Sequence, residues 1–241
     1  MTSGAEAVAV ILARSGSRGL PGKNEMTIAG RPMICHTITH ALEAETISRI
    51  IVSTDGEGIA AAAESMGNDR VEVLHRPSEL ATDTTPVDEA ARHAVAGTPG
   101  AFRNVVILYA NVPRRPYGLI DRAVRLLIAR GADSVQSYRR VGSHHPYWMV
   151  WLDESGMVRP YCPNGVDRRQ DLPPLYLPDG GVIAVTRASL LRPGQEGPHG
   201  FLGRRRLGFE TQPGDVIDVD TPLDLAVAEA LLSADATGAR R

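Results

Sequence analysis

Lysine is nearly absent from this chain of 241 residues: of 26 basic residues only Lys23 is a lysine, and the rest are arginine. Positions content with a generic positive charge have thus become arginine, and the compact ammonium of Lys23 is chemically distinct from a planar guanidinium where a cation must slip between phosphates. Cysteine is equally scarce. Cys35 and Cys162 cannot form a disulfide framework and no Cys/His cluster has zinc-ligand spacing, so both read as packing residues in a reducing compartment. No run approaches the roughly 18 to 20 apolar residues of a membrane helix, and residues 1–7 carry neither a basic segment nor a separate apolar one. The expectation is a cytoplasmic protein without membrane contact. A formal net charge of -2 also speaks against bulk capture of nucleic acid.

What is present is an alternation of short apolar runs and helical patterns in a chain long enough for one sizeable α/β domain, read as residues 1–241. Residues 7–12 are rich in valine and isoleucine without polar alternation, which predicts a strand buried on both faces. Further strands are predicted at 49–52, 71–74, 105–108, 134–137, 182–185 and 216–219, and helices at 32–45, 57–66, 86–94, 119–129 and 223–232. This order implies an open, mostly parallel, Rossmann-like doubly wound sheet with right-handed crossovers. The rhythm breaks at 139–178, where His144, His145, Tyr147, Trp148, Trp151, Tyr161 and Tyr176 crowd a proline-rich stretch. That stretch is expected to leave the sheet as an inserted extended element. The tail from Ser233 onward reads as disordered.

Directly after the first predicted strand comes Ala13-Arg14-Ser15-Gly16-Ser17-Arg18-Gly19-Leu20-Pro21-Gly22-Lys23-Asn24. Its glycines let backbone N–H groups converge on phosphate oxygens, and Arg14 and Lys23 put charge at both ends, so it reads as a polyphosphate cradle; a flexible surface loop is the plainer alternative. In an open α/β sheet it would lie at the carboxyl edge, where ligands bind. It is not a Walker A loop, which would need glycine and Ser or Thr where Ser17 and Asn24 stand, and no G-x-G-x-x-G occurs. Near the other end, Asp218-Val219-Asp220 closes a predicted strand whose period of two puts both carboxylates on one face, their Cα atoms about 6.5 to 7 Å apart. The pair suits one hard cation such as Mg2+. Helix capping competes for these residues, although Thr221 with Pro222 and Asp224 behind it could cap and leave Asp220 free.

The loop closely resembles the signature of the acylneuraminate (CMP-sialic acid) cytidylyltransferases. The likeness continues through Val52-Ser53-Thr54-Asp55, Arg76-Pro77-Ser78-Glu79-Leu80-Ala81-Thr82-Asp83, His144-His145-Pro146, Arg169-Gln170-Asp171-Leu172-Pro173 and Asp218-Val219-Asp220-Thr221-Pro222. The resemblance implies a sheet of the nucleotide-diphospho-sugar transferase type and a Mg2+-dependent transfer from CTP to a sugar acid. It implies catalytic roles for Arg14, Lys23, Asp218 and Asp220, the last two as metal ligands. Arg14, Ser17 and Lys23 would hold the triphosphate; Asn24, Arg76 and Thr82 would surround cytosine and ribose, with Ala13 also on the nucleotide. Asn111, Arg115, Arg169, Gln170 and Tyr176 would bind the acceptor, and the inserted element would pack against a second subunit in a homodimer.

The acceptor half departs from that pattern. Tyr109-Ala110-Asn111-Val112-Pro113-Arg114-Arg115 stands where the family typically reads Gln-Pro-Thr-Ser-Pro-Leu-Arg, and Ile183 replaces an aromatic residue. An activated nonulosonic acid differing from N-acetylneuraminate in its substituents is the expectation. Another nucleotide or acceptor, such as GTP, 3-deoxyoctulosonate or an alditol phosphate, and a non-catalytic nucleotide-binding module are the rivals. The remaining histidines read as structural and Arg204-Arg205-Arg206 as a solvated run, while capping explains Asp55 and Asp83 as well as catalysis does.

Overall fold

Strand β1 (Ala7–Leu12) has no polar alternation because both its faces are covered: Ala7, Ala9 and Ile11 enter one apolar layer, Val8 and Val10 the other. The computed structural model describes residues 7–17, 19–192, 197 and 199–236. After two-residue strands β2 (Thr27–Ile28) and β3 (Arg31–Pro32) come α1 (Met33–Glu43), β4 (Ile47–Thr54), α2 (Glu57–Glu64), β5 (Val71–His75), α3 (Val87–Ala96), β6 (Asn104–Tyr109), α4 (Leu119–Arg130) and β7 (Ser134–Arg140). A hairpin, β8 (Val150–Leu152) with β9 (Val158–Pro160), precedes β10 (Tyr176–Thr186), α5 (Arg187–Leu191), β11 (Arg206–Thr211) and α6 (Pro222–Ala236). The main sheet has seven strands in the order β11-β7-β10-β6-β1-β4-β5. All neighbours are parallel except β10, which runs antiparallel to both β6 and β7.

The helices cover both faces. Ile34, Ile38 and Ala41 of α1, Ile59 and Ala63 of α2, and Leu119, Val124 and Leu127 of α4 share one layer with Ile11 and Ile50. Ala91, Ala94 and Val95 of α3 and Leu190 of α5 form the other with Val10, Val105 and Ile183. Ile183 therefore belongs to the core, where an aromatic ring would need more room.

The expected strand at 216–219 is not in the sheet. Ile217 makes one isolated bridge to Arg114, and the Val219 N–H donates to the Asn111 carbonyl. The apolar run is explained instead by burial under α6, where Ile217 and Val219 pack with Ile28, Met33 and Ala228. The edge strand is β11, begun by Arg206 of the expected surface run, with Phe209 and Thr211 inward and Gly208 and Glu210 outward. The excursion from the sheet covers residues 141–175, because β7 and β10 extend toward each other until Arg140 pairs with Tyr176. Residues 233–236 of the expected disordered tail close α6, and 237–241 lie outside the described residues.

Asp133 ties the β11 edge down. Its carboxylate accepts the N–H groups of Arg204 and Arg205 at 2.8 and 2.9 Å and the Ser189 hydroxyl at 3.2 Å. Gly203 takes φ +74 against it, and a Cβ there would meet the Asp133 Cβ at 2.4 Å. Replacing Asp133 by alanine removes the acceptor of the Arg204 and Arg205 N–H groups and is expected to cost about 2 kcal/mol in urea unfolding. A loss below roughly 0.5 kcal/mol would contradict this anchoring role.

Candidate active site

The loop after β1 is fixed from below before it can bind anything. Ser15 donates from its backbone N–H (2.9 Å) and its hydroxyl (2.6 Å) to the two oxygens of Asp55 at the end of β4. Burial opposes ionisation of Asp55, but the Ser15 bonds, its own backbone N–H and the Arg76 charge outweigh it and hold the carboxyl below the usual range. Asp55 is thus a loop anchor and not the expected cap. Arg76, at the end of β5, is buried and donates to the Ser53 hydroxyl and carbonyl at 3.0 and 2.6 Å. At the other end of the loop the N–H groups of Lys23, Glu25 and Met26 turn back onto the carbonyls of Leu20, Gly22 and Lys23.

Above this base lies a pocket of about 190 Å³ at the carboxyl edge of β1, β5 and β6. Arg14, Ser17, Lys23, Asn24, Arg76 and Thr82 all line it, with Leu12, Leu80 and Val87 as an apolar wall. Two buried polar atoms in this lining, Ser17 Oγ and Asn24 Oδ1, have no hydrogen-bond partner among the described residues, while Asn24 Nδ2 donates to the Arg14 carbonyl at 2.9 Å. Buried polar atoms are nearly always satisfied, so an orphaned pair in a concave site points to a missing polar ligand. Ala13 does not join them: its side chain is in the core and its N–H goes to Ser53. Asp83, expected as a helix cap, instead pairs with the Arg14 guanidinium across the pocket, while α3 starts four residues later without a side-chain cap.

The carboxylate pair meets the loop directly. Lys23 Nζ is 2.5 Å from Asp220 Oδ1. Asn111 Nδ2 lies 2.5 Å from Asp218 Oδ1 and 3.3 Å from Asp220 Oδ1, so one amide bridges both acids although the two are not on a sheet strand. The Asn111 amide is therefore turned to the carboxylates. Withdrawal from water and the facing charge of Asp220 push the Asp218 carboxyl up to about 6 despite Lys23 and Arg115, though its outer edge stays open to solvent. Thr221 and Asp224 form the reciprocal cap of α6, with Asp224 Oδ2 accepting the Thr221 N–H and hydroxyl and the Asp220 N–H. Asp218 and Asp220 are left to other work. Gly19 completes the junction, since a Cβ on it would stand 2.4 Å from the Asp220 carbonyl oxygen.

A second, larger cavity of about 840 Å³ opens between the ends of β7, β10 and β11 and the inserted element. Arg169 and Gln170 line it, and so do Val216 and Ile217, which lead into Asp218. Two expected acceptor residues lie elsewhere. Arg115 is buried in the core, where its guanidinium donates to the Gly181, Val112 and Tyr109 carbonyls and the Thr37 hydroxyl. Burial brings its pKa down to about 9 even with Asp218 and Asp179 nearby. Tyr176 is half-exposed at the start of β10, outside the linings of both cavities. Tyr109, by contrast, lines the smaller pocket, and burial together with Asp218 raises its hydroxyl to about 12, so it stays protonated.

A match to the cytidylyltransferase family model over residues 8–134 spans every element that shapes this pocket except the Asp218 segment. The chain belongs to the cytidylyltransferase family. The CMP-N,N'-diacetyllegionaminic acid synthase of Legionella pneumophila is 32% identical over 233 residues, covering 93% of this cytidylyltransferase and 95% of the relative. An N-acylneuraminate cytidylyltransferase of Streptococcus agalactiae is 30% identical over 216 residues, 89% of this chain and 50% of that protein. The chain thus spans about half the length of that relative. A CTP-complexed CMP:2-keto-3-deoxy-manno-octonic acid synthetase superposes with a TM-score of 0.71 at 18% identity, covering 95% of this chain and 99% of the other, which shows a shared fold. Among the described residues, no helix is long and apolar enough to cross a membrane.

Two outcomes test this geometry. Gly19→Ala should keep the thermal unfolding midpoint within about 3 °C and weaken CTP binding by roughly tenfold or more, because the loop must part from Asp220; unchanged binding would contradict the contact. Asp218 has a folded pKa above that of the unfolded chain, so its ionised form burdens the fold at high pH and the burden lifts as pH falls from about 6 toward 4. In chelator, Asp218→Asn should therefore raise the midpoint by about 2 °C at pH 8 and by nothing near pH 4. The opposite pH trend would show that Asp218 is not crowded by Asp220.

Proposed function

We propose that the protein is a Mg2+-dependent cytidylyltransferase that joins CMP from CTP to the anomeric hydroxyl of a sialic-acid-like nonulosonic acid. The observation that carries the reading is the junction of two orphaned polar atoms, Ser17 Oγ and Asn24 Oδ1, two cations, Arg14 and Lys23, and the Asp218–Asp220 pair around one pocket. Relatives named for N-acylneuraminate and N,N'-diacetyllegionaminate support the acceptor class.

In the reaction the acceptor hydroxyl oxygen forms a bond to the α-phosphorus, the bond from that phosphorus to the bridging oxygen breaks, and pyrophosphate leaves with the electron pair as the hydroxyl proton is released. Negative charge gathers on the leaving and equatorial oxygens, and preorganised cations lower the barrier by facing them. Arg14 and Lys23 take this role from the two ends of the loop. Ser17 and Asn24 fix the nucleotide so that attack is in line, and Asn111 holds the two acids in register. Two hard carboxylate oxygens beside a phosphate cradle, one acid held high by burial and by its neighbour's charge, fit a Mg2+ ion that completes its shell with phosphate and water. Bound there, Mg2+ would neutralise phosphate charge. Among the described residues no cluster of three or more His, Cys, Asp or Glu offers an all-protein cage, in keeping with a metal shared with substrate.

Two copies are taken to pair through the inserted element. Val150, Trp151, Leu152, Met157, Val158 and Tyr161 are all at least half-exposed on the β8–β9 hairpin, an apolar surface of the kind that marks an interface.

Pyrophosphate release with Mg2+ and CTP, run against sialic, deaminated sialic, diamino-nonulosonic and 3-deoxyoctulosonic acids with GTP, ATP and UTP as controls, tests the reading. Acceptor-dependent release with CTP and a nonulosonic acid is expected; preference for another nucleotide or for 3-deoxyoctulosonate would replace it, and CTP binding without turnover would favour a binding module. Lys23→Arg should slow release by about tenfold or more, because a planar fork cannot occupy the place of an ammonium wedged beside Asp220. An unchanged rate would remove Lys23 from the chemistry.

A further inference from the structure

The larger cavity is lined by three arginines, Arg139, Arg140 and Arg169, whose guanidinium groups make no hydrogen bond or ion pair among the described residues. Other arginines in or near the site are spent on the protein itself: Arg76 on Ser53, Arg115 on carbonyls, and Arg114 on Asp235. Three unspent guanidinium groups facing one cavity describe a receptor for an anion, and the planar fork is matched to a carboxylate.

The chemistry of the acceptor says which of the three should matter most. In the ring form of a 2-keto sugar acid, the attacking hydroxyl and the carboxylate are borne by the same carbon. Whatever holds the carboxylate must therefore border both the cavity and the Asp218–Asp220 pair. Arg139 follows Ser137 by two on β7 and so points to the same side of the sheet, where the Ser137 hydroxyl donates to Asp179 at 2.5 Å. Its partner in β11 is Thr211, whose hydroxyl donates to the other Asp179 oxygen at 2.7 Å. The next residue after Asp179 is Gly180, where a Cβ would lie 3.5 Å from Asp218 Oδ2. Arg139 is also close enough to the start of α6 for its charge to act on Asp224. Arg140 alternates to the other side of the strand, and Arg169 comes from the inserted element.

We propose that Arg139 is the residue that reads the acceptor's carboxylate and thereby selects a 2-keto acid over a neutral sugar. This rests on the functional reading above and adds to it a residue on β7 that contacts substrate.

The test is calorimetric titration of the CMP-loaded protein with N-acetylneuraminate, a 5,7-diacetamido nonulosonic acid, and the methyl ester of each. Wild type should bind at least one acid about tenfold more tightly than its ester. Arg139→Gln should lose that preference and Arg139→Lys keep part of it, with CTP affinity in both within about twofold of wild type. An acid-over-ester preference that survives in Arg139→Gln overturns the proposal, and so does a CTP-binding wild type that takes none of the acids. A wild type that fails to bind CTP removes the functional reading itself and this inference with it.

Discussion

The contact between the glycine loop and the segment carrying Asp218 and Asp220 is the constraint on which the site depends. Gly19 rests on the Asp220 carbonyl, Lys23 on its carboxylate, and Asn111 from the β6 edge on both acids, so segments nearly two hundred residues apart in sequence are locked at one point. The loop cannot close there by itself. It is held down by Asp55 at the end of β4, and the acids are presented by the Thr221–Asp224 cap of α6. Asp55 leaves the carboxyl end of β4 and the cap opens α6, so a rigid sheet covered on both faces lies beneath a site made almost wholly of loops.

In the free protein the cradle's cations are not idle. Arg14 is paired with Asp83 and Lys23 with Asp220, so the charges proposed to face phosphate are balanced by carboxylates. This keeps the loop shaped at small electrostatic cost, since exposed pairs contribute little and are readily exchanged for a polyphosphate. It also couples the two halves of the site: a ligand that draws Asp220 away frees Lys23 for phosphate.

Much of this was legible in the residues. The β/α alternation came through because strands buried on both faces are unbroken apolar runs and helices carry stripes, and the loop announced itself by glycines flanked by Arg14 and the lone Lys23. Val216, Ile217 and Val219 misled because periodicity records burial, not pairing: Ile217 and Val219 pack under α6, and Val216 packs against the main core layer. β11 escaped notice because an edge strand needs only alternate apolar residues and this one begins at the last of three arginines. Asp55 and Asp83 could not be told from ordinary caps, since their partners Ser15 and Arg14 lie 40 and 69 residues away and only the folded sheet brings them near. Arg115 shows the converse, a residue whose motif position suggested substrate but whose donors the core consumes.

The claim that loop and carboxylates form one coupled site is tested most directly by titrating CTP into wild type and Asp220→Asn, each with chelator and with Mg2+. Without metal the substitution frees Lys23 and removes a negative charge, so the variant should bind CTP more tightly than wild type. With Mg2+ the order should reverse, because the variant lacks a carboxylate proposed to hold the metal. Curves that keep the same order under both conditions would contradict the account.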